Sequence, residues 1–150
     1  MAKKRKTARE KLETVQEPKV EATPKGRMLI PKPLDVDALM RKIPEGKLAT
    51  ADQIRARLAR DCDADYTCPL TTGIFLRIAA EAAEEDLLEG REPITPYWRV
   101  IKAGGSLNEK FPGGVEAQAA RLREEGHDIQ PGMGKKPPRV EDFEKSLVKL

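Results

Sequence analysis

The stretch that most constrains this chain is Pro-Tyr-Trp-Arg-Val-Ile at residues 96–101, which carries the only tryptophan and one of the two tyrosines. Its tryptophan, valine and isoleucine favour a strand, and the following pair Gly104-Gly105 suits a hairpin turn with Leu107 on the return strand. The proline ahead of the aromatic pair keeps the preceding residues out of a helix. We therefore expect a small β-wing at this point of the chain.

Four helices are predicted around the wing, because apolar residues recur at helical spacing between recognisable caps and stops. At the start of the second helix, Thr50 and Gln53 have the spacing of a capping box. The predicted helices run from Asp35 to Pro44, from Thr50 to Arg60, from Thr71 or Thr72 to Gly90, and from Gly114 to Gly126. A helix-turn-helix followed by a wing makes the expected fold mainly α and winged-helix-like.

Both ends of the chain differ in composition from this core. Residues 1–26 combine Lys, Arg, Glu, Thr and Pro with few large apolar residues, which predicts a disordered basic arm. Residues 27–129 form the winged-helix-like domain, and residues 130–139, rich in Pro, Gly and Lys, are a linker. Residues 140–150 repeat apolar side chains at helical spacing, which predicts a C-terminal helix docked on the domain.

Charge is unevenly distributed along the chain, whose net charge is +3. Residues 1–26 hold eight Lys and Arg against four Glu, whereas residues 27–128 hold 15 Lys and Arg against 18 Asp and Glu. Phosphate contacts supply most non-specific affinity for nucleic acid, so a mildly acidic core must gather its basic residues on one face or use the arm. This composition argues against simple duplex binding by the core alone.

Cysteine and histidine are too scarce for a disulfide framework or a zinc site, since the chain has only Cys62, Cys68 and His127. We expect free thiols, no metal and no cofactor. The chain contains no run of about 18 apolar residues, and its start lacks the apolar stretch of a secretory signal. We therefore expect a cytoplasmic monomer without membrane contact, associated with the nucleoid if it binds DNA.

The order of these pieces resembles the DNA-binding domain of the alkylguanine-DNA alkyltransferases. The resemblance covers residues 35–128, from Pro-Glu-Gly-Lys-Leu-Ala-Thr at 44–50 through two helices, the Pro-x-x-Arg-Val-Ile segment and a Gly-Gly helix start to Glu-Glu-Gly-His at 124–127. In that family a Pro-Cys-His-Arg-Val motif carries the cysteine that accepts the alkyl group. Here Tyr97 stands at the cysteine position and Trp98 at the histidine position.

The resemblance implies double-stranded DNA as partner, a third helix that enters the minor groove, and a guanine rotated out of the duplex to lie against Tyr97 or Trp98. Glu125 matches the family's relay glutamate, and the family's intercalating arginine falls closest to Gly73. A phenol beside an indole is neither a soft nucleophile nor a base at neutral pH, so alkyl transfer by the family mechanism is not expected. The residues implied in DNA binding are Thr50, Thr72, Gly73, Arg77, Tyr97, Trp98, Arg99, Lys102 and Ser106.

These departures make the chain most similar to the alkyltransferase-like proteins, which lack the acceptor cysteine and bind alkylated guanine to flag it for other repair proteins. We therefore predict a non-catalytic protein that recognises damaged or alkylated DNA. Two alternatives stay open: a protein-interaction domain with the acidic stretch 81–89 turned outward, and a cysteine alkyltransferase that uses Cys68 at a helix N-terminus. DNA is favoured over a protein partner if basic residues share one face. The candidates for that face are Arg55, Arg77, Arg99 and Lys102.

Overall fold

The computed structural model describes residues 7–14 and 17–150 of the chain. None of the helices in this part is long and apolar enough to span a membrane. The α-helices are α1 (Ala8–Leu12), α2 (Pro33–Arg41), α3 (Ala51–Asp61), α4 (Pro69–Leu88) and α5 (Gly114–Glu124). The strands are β1 (Lys19–Thr23), β2 (Gly26–Ile30), β3 (Ala49–Thr50), β4 (Tyr66–Thr67), β5 (Val100–Ile101), β6 (Ile129–Gln130) and β7 (Arg139–Val140). Two 3-10 helices complete the order, Tyr97–Arg99 and Phe143–Ser146.

Helix α4 runs through the core, with α1 and α2 packed against it. It contributes a run of fully buried small residues, which lets both neighbouring helices approach closely. These residues are Ala79, Ala80, Ala82 and Ala83. The prediction of a long third helix is confirmed, although α4 begins at Pro69 rather than at Thr71 or Thr72.

Three small sheets connect the helices. Strands β1 and β2 form an antiparallel hairpin, and β4 joins β2 in parallel just before α4 begins. Strand β3 pairs in parallel with β5, and β6 pairs antiparallel with β7. The fold is therefore mixed α/β rather than mainly α, because short strands pair between segments that are far apart in sequence.

The predicted β-wing takes a different form. Trp98 lies in a 3-10 helix rather than in a strand, and β5 pairs with β3 instead of with a return strand. The glycine pair does form a tight turn, closed by hydrogen bonds from the Gly105 N–H to the Lys102 carbonyl at 2.8 Å and from the Lys102 N–H to the Ser106 carbonyl at 2.9 Å. The chain beyond it pairs with the C-terminal part, through a bridge between Ser106 and Arg139. The predicted winged helix is therefore not confirmed.

Two of the four predicted helix starts, those of α3 and α5, agree with the sequence pattern. The capping box of α3 is present, with the Gln53 N–H donating to the Thr50 hydroxyl at 3.1 Å and the Thr50 N–H donating to the Gln53 side chain at 2.8 Å. Helix α2 begins at Pro33, two residues before the predicted cap, because proline suits the first turn of a helix. Gly113, at φ +77°, precedes α5 as expected.

The N-terminal segment is folded where it is described, so the prediction of a disordered arm over residues 1–26 is wrong for residues 7–14 and 17–26. Leu12 of α1 is fully buried against the core, and Ala8 is 5% exposed. Glu85 of α4 accepts the N–H groups of Ala8 and Arg9 at 2.8 and 2.9 Å. Residues 1–6, 15 and 16 of the predicted arm lie outside the described residues. A local reading missed α1 because five residues cannot form a stable helix without such packing.

The C-terminal segment docks on the domain as predicted, but without an α-helix. The predicted linker 130–139 lies in and between β6 and β7, and Val140 and Phe143 are buried. Beyond the 3-10 helix, the Leu48 N–H donates to the Ser146 carbonyl, and the Val148 N–H to the Leu48 carbonyl, each at 2.9 Å. The helical spacing of apolar residues thus serves a 3-10 turn and an extended end.

Candidate nucleic-acid interface

A cleft of about 940 Å³ opens beside the 3-10 helix that contains Trp98. Its lining is partly apolar and partly charged, as is usual for a ligand pocket. The apolar residues are Leu87, Pro93, Ile94, Pro96 and Trp98, and the charged residues are Arg41, Glu45, Glu92, Arg99 and Arg121. The cleft therefore lies beside the Pro-Tyr-Trp-Arg-Val-Ile segment at residues 96–101.

Glu125, at the C-cap of α5, binds two residues that line this cleft, Trp98 and Arg99. Its carboxylate accepts the indole N–H of Trp98 at 2.8 Å and the guanidinium N–H groups of Arg99 at 2.8–3.1 Å. The Gly46 N–H donates to it at 3.2 Å, and Arg99 also donates to the Ile43 carbonyl at 2.7 Å. The side chains of Arg99 and Glu125 are 14% and 7% exposed, so this is a buried ion pair.

The charge state of Glu125 follows from these contacts. Burial alone would raise its pKa, but the hydrogen bonds from Arg99, Trp98 and Gly46 outweigh burial and lower the pKa. The carboxylate therefore stays charged at neutral pH. An indole donates a hydrogen bond but accepts no proton, so Glu125 and Trp98 cannot pass a proton on as a glutamate and a histidine could.

Tyr97 is buried beside this network, at 2% exposure. Its hydroxyl donates to the Glu84 carboxylate of α4 at 2.6 Å, and its ring meets Trp98 and Phe111 edge-on at 5.4 and 5.3 Å. Burial raises the pKa of Tyr97, and the Glu84 carboxylate raises it further. The Tyr97 phenol is thus a neutral hydrogen-bond donor.

Arg121 of α5 covers the indole of Trp98. Its guanidinium carbon lies 4.3 Å from the centre of the Trp98 ring, a cation–π contact. The same guanidinium donates to Glu84 at 3.1 Å, so Glu84 binds Tyr97 and Arg121 through one oxygen atom. The Arg121 side chain is 29% exposed and lines the cleft.

Gln118 holds the backbone of residues 98–100 in place. It is 1% exposed, and its amide donates to the carbonyls of Trp98 and Val100 at 3.1 and 3.0 Å. Its carbonyl accepts the Asn108 N–H at 2.8 Å. Since both ends of the amide are satisfied, the 3-10 helix and β5 are held in one position relative to α5.

The first turns of α4 present a second surface, which is open to solvent. Leu70 and Ile74 are 74% and 49% exposed, and a Cβ added to Gly73 between them would meet no atom within 4 Å. Arg77 is exposed one turn later and pairs with Glu81 at 3.0 Å. These four residues are named the α4 start.

Two residues that were predicted to contact DNA, Thr72 and Thr50, use their hydroxyl groups in hydrogen bonds within the protein. The Thr72 hydroxyl is fully buried and donates to the Cys68 carbonyl at 2.8 Å. Thr50 is 6% exposed, with its hydroxyl in the capping box. Lys102 is exposed and Ser106 half-buried in the turn after β5. Contact of these residues with DNA stays a prediction.

The four candidates for a basic face do not form one free cationic surface. Arg55 pairs with Asp52, and Arg77 pairs with Glu81. Arg99 is buried against Glu125, whereas Lys102 makes no ion pair within residues 7–14 and 17–150. Three of the four candidates are therefore neutralised by carboxylates of the same protein.

Two solved structures resemble this arrangement. S. pombe Atl1, in complex with damaged DNA containing O6-carboxymethylguanine, matches with a TM-score of 0.53 and 21% identity over 79% of this chain and 94% of Atl1. This chain therefore has a fold similar to that of Atl1. S. pombe ATL in complex with DNA matches with a TM-score of 0.55 and 20% identity over the same shares of both chains. No family model and no curated protein matches the sequence.

Within this fold, Cys68 lies at the start of α4, outside the set of described residues that line the cleft. Burial would raise the pKa of its thiol, but hydrogen bonds from the Thr71 hydroxyl and from nearby backbone N–H groups lower the pKa overall. The cysteine alternative therefore has a thiol with a lowered pKa, but that thiol lies outside the cleft beside Trp98. No group of three His, Cys, Asp or Glu side chains suited to a metal occurs in the described ranges 7–14 and 17–150.

The acidic stretch 81–89 is largely turned inward. Glu84 binds Tyr97 and Arg121, Glu85 caps α1, and Asp86 is 5% exposed and pairs with Arg9. The alternative of an outward acidic face for a protein partner therefore has few free carboxylates.

Sequence reasoning missed three residues that build the cleft: Glu84, Gln118 and Arg121. One signal was available, because Gln118, Arg121 and Glu125 lie three and four residues apart and so share one face of α5. Glu84 carries no such signal, since its partners come from segments 13 and 37 residues away.

Proposed function

We propose that this protein is a non-catalytic DNA-binding protein that recognises alkylated guanine in duplex DNA. The observation that carries the proposal is the buried pair Tyr97-Trp98, held by Glu84 and Glu125, with Trp98 lining the cleft. These two rings are at the positions that the resemblance assigns to a thiol and its base. The similarity of the fold to that of Atl1 supports it, since Atl1 was crystallised with DNA that contains O6-carboxymethylguanine.

The absence of transfer chemistry follows from the side chains at the cleft. Alkyl transfer needs a nucleophile with a free electron pair aimed at the alkyl carbon. The Tyr97 phenol is neutral and donates a hydrogen bond to Glu84, and the Trp98 indole nitrogen has no free pair to offer. A bound guanine would therefore keep its alkyl group, and other repair proteins would have to remove the lesion.

The cleft is the proposed site for the base. Its volume of about 940 Å³ is near the upper end of the range of roughly 300–1,000 Å³ for ligand pockets. An alkylated base within a duplex is stacked, so it must rotate out of the helix to enter such a site. The apolar residues would contact the alkyl group, while Arg41 and Arg99 would face the polar edge of the base.

The α4 start is the proposed surface for the duplex. Minor-groove proteins commonly insert apolar side chains between base steps, and Leu70 and Ile74 are exposed apolar residues on this surface. Gly73 stands where the family's intercalating arginine falls. Leu70 or Ile74 would then fill the gap that a rotated base leaves behind.

A binding titration tests this function. A duplex with one O6-carboxymethylguanine is expected to bind at least about fivefold more tightly than the same duplex with guanine, since stacking of one base contributes about 1–3 kcal/mol. Affinity for both duplexes should fall as salt rises. Intact-mass measurement after incubation should show no added mass on the protein.

Equal affinity for the two duplexes would contradict damage recognition. An adduct that maps to Cys68 would favour the cysteine alkyltransferase instead. If neither duplex binds at low salt, DNA is not the partner, and the alternative of a protein-interaction domain gains support.

Substitutions at Gly73 test the duplex surface without disturbing the core, because a Cβ there meets no atom within 4 Å. Gly73→Glu is expected to weaken binding to both duplexes about fivefold, as one negative charge near a phosphate costs about 1 kcal/mol. Gly73→Lys should strengthen binding. Fluorescence anisotropy of labelled duplexes measures both effects.

The matched control is Gly73→Ala. It should leave DNA affinity unchanged and raise the free energy of unfolding by about 1 kcal/mol, since alanine replaces glycine inside a helix. If Gly73→Glu and Gly73→Ala bind DNA equally well, the α4 start does not face the duplex.

A further inference from the structure

We infer that Arg121 is the residue on which the rotated base stacks. Its guanidinium, held over the Trp98 indole, would form the platform of the cleft. The inference rests on the proposed function and goes beyond it, because it names a positioning residue that decides specificity for a planar base. It also replaces the expectation that the base lies directly against Tyr97 or Trp98.

Neither aromatic ring is free to receive a base. Trp98 is 8% exposed, and the Arg121 guanidinium lies over its ring at 4.3 Å from the centre. Tyr97 is 2% exposed and packs edge-on against both Trp98 and Phe111. A base could therefore reach the indole face only by displacing Arg121.

Arg121 is held in place by contacts on its inner side. Its guanidinium donates to Glu84 at 3.1 Å, and Glu84 is itself fixed by the Tyr97 hydroxyl at 2.6 Å. The indole supports the same group through the cation–π contact. Displacement of Arg121 would break both contacts, so the guanidinium is pre-positioned rather than mobile.

The outer side of Arg121 is open. Its side chain is 29% exposed and lines the cleft together with Pro96 and Ile94. Unstacked bases stack on guanidinium planes as well as on aromatic rings, because the guanidinium is flat and delocalised. The order from the core outward is then Trp98, Arg121 and the base.

The test compares Arg121→Ala, Arg121→Lys and the control Arg123→Ala, which removes an exposed arginine from the same helix. The probes are a duplex with O6-carboxymethylguanine and the same duplex with guanine. Arg121→Ala is expected to lower affinity for the alkylated duplex by about 5- to 150-fold, the range for loss of one base stack. Arg121→Lys should lose most of the same preference, because lysine keeps the charge without the flat group. Arg123→Ala should keep the wild-type preference.

Trp98 fluorescence adds a readout that a purely structural role would not change. With the wild type, the alkylated duplex should alter Trp98 emission little, since the guanidinium separates base and indole. With Arg121→Ala, the indole is uncovered and the remaining binding should quench it. Far-ultraviolet circular dichroism and thermal melts confirm that each variant is folded.

Each opposite result is decisive. Strong quenching of Trp98 in the wild type would mean that the base displaces Arg121, which overturns the inference. A full preference for the alkylated duplex in Arg121→Ala or Arg121→Lys would overturn it as well, while the proposed function stands. If the wild type itself shows no preference for the alkylated duplex, the proposed function fails and the inference fails with it.

Discussion

Glu125→Ala is expected to lower the free energy of unfolding by about 3–5 kcal/mol, the usual cost of removing one partner of a buried ion pair. The substitution leaves the Arg99 guanidinium, 14% exposed, without its carboxylate. It also removes the acceptor of the Trp98 indole N–H and of the Gly46 N–H. Denaturant unfolding at neutral pH measures the loss. Glu124→Ala is the matched control, because Glu124 is the exposed neighbour on the same helix end.

The same carboxylate gives stability a defined pH dependence, which Glu125→Gln isolates. The pKa of Glu125 is lower in the folded protein than in the unfolded chain, where it is about 4.3. Its contribution is therefore complete above the unfolded-state pKa and is lost as pH falls through the folded-state pKa. The difference in stability between the wild type and Glu125→Gln should be constant from neutral pH to about pH 5 and shrink at lower pH. A difference that grows on acidification would contradict this account of the site.

Leu12→Ala is expected to lower the free energy of unfolding by about 2–5 kcal/mol, as do other truncations of fully buried leucines. Leu12 is the last residue of α1 and has no exposed surface. A five-residue helix has little stability of its own, so α1 depends on its packing against α4. Thermal melts of the full chain compare the wild type with the variant.

Lys11→Ala is the control for Leu12, because Lys11 is exposed on the same helix and its loss should change stability by less than about 0.5 kcal/mol. Equal melting temperatures for wild type and Leu12→Ala would mean that α1 is undocked in solution. The basic N-terminal segment would then be the arm that its composition first indicated.

Local sequence signals located the helices because each carries its own start and stop. The capping box of Thr50 and Gln53 placed α3 to the residue, and Gly113 placed the start of α5. These signals depend on hydrogen bonds within four residues, so the sequence contains both partners. The resemblance of the motif order also singled out Trp98 and Arg99, which line the cleft, and Tyr97 and Glu125, which contact Trp98.

Pairing between distant segments had no such signal. The expected wing assumed that β5 pairs with the next strand in sequence, whereas it pairs with β3, about 50 residues earlier. The contact between the C-terminal segment and the glycine turn also had no local signal. Gly105 has φ +87°, and a Cβ there would lie 2.5 Å from the Phe143 ring. A glycine pair predicts a turn, but it does not predict which side chain will pack on that turn.

The sequence alone determined the approximate course of α2 to α5, the capping box of α3 and the aromatic pair Tyr97-Trp98. Only the tertiary structure decided how those rings are used. Tyr97 and Trp98 are held by Glu84 and Glu125, and Arg121 covers the indole, through contacts that span 13 to 37 residues of chain. The physical reason is that a hydrogen-bond donor in the interior requires a partner, but any segment that folds nearby can supply it.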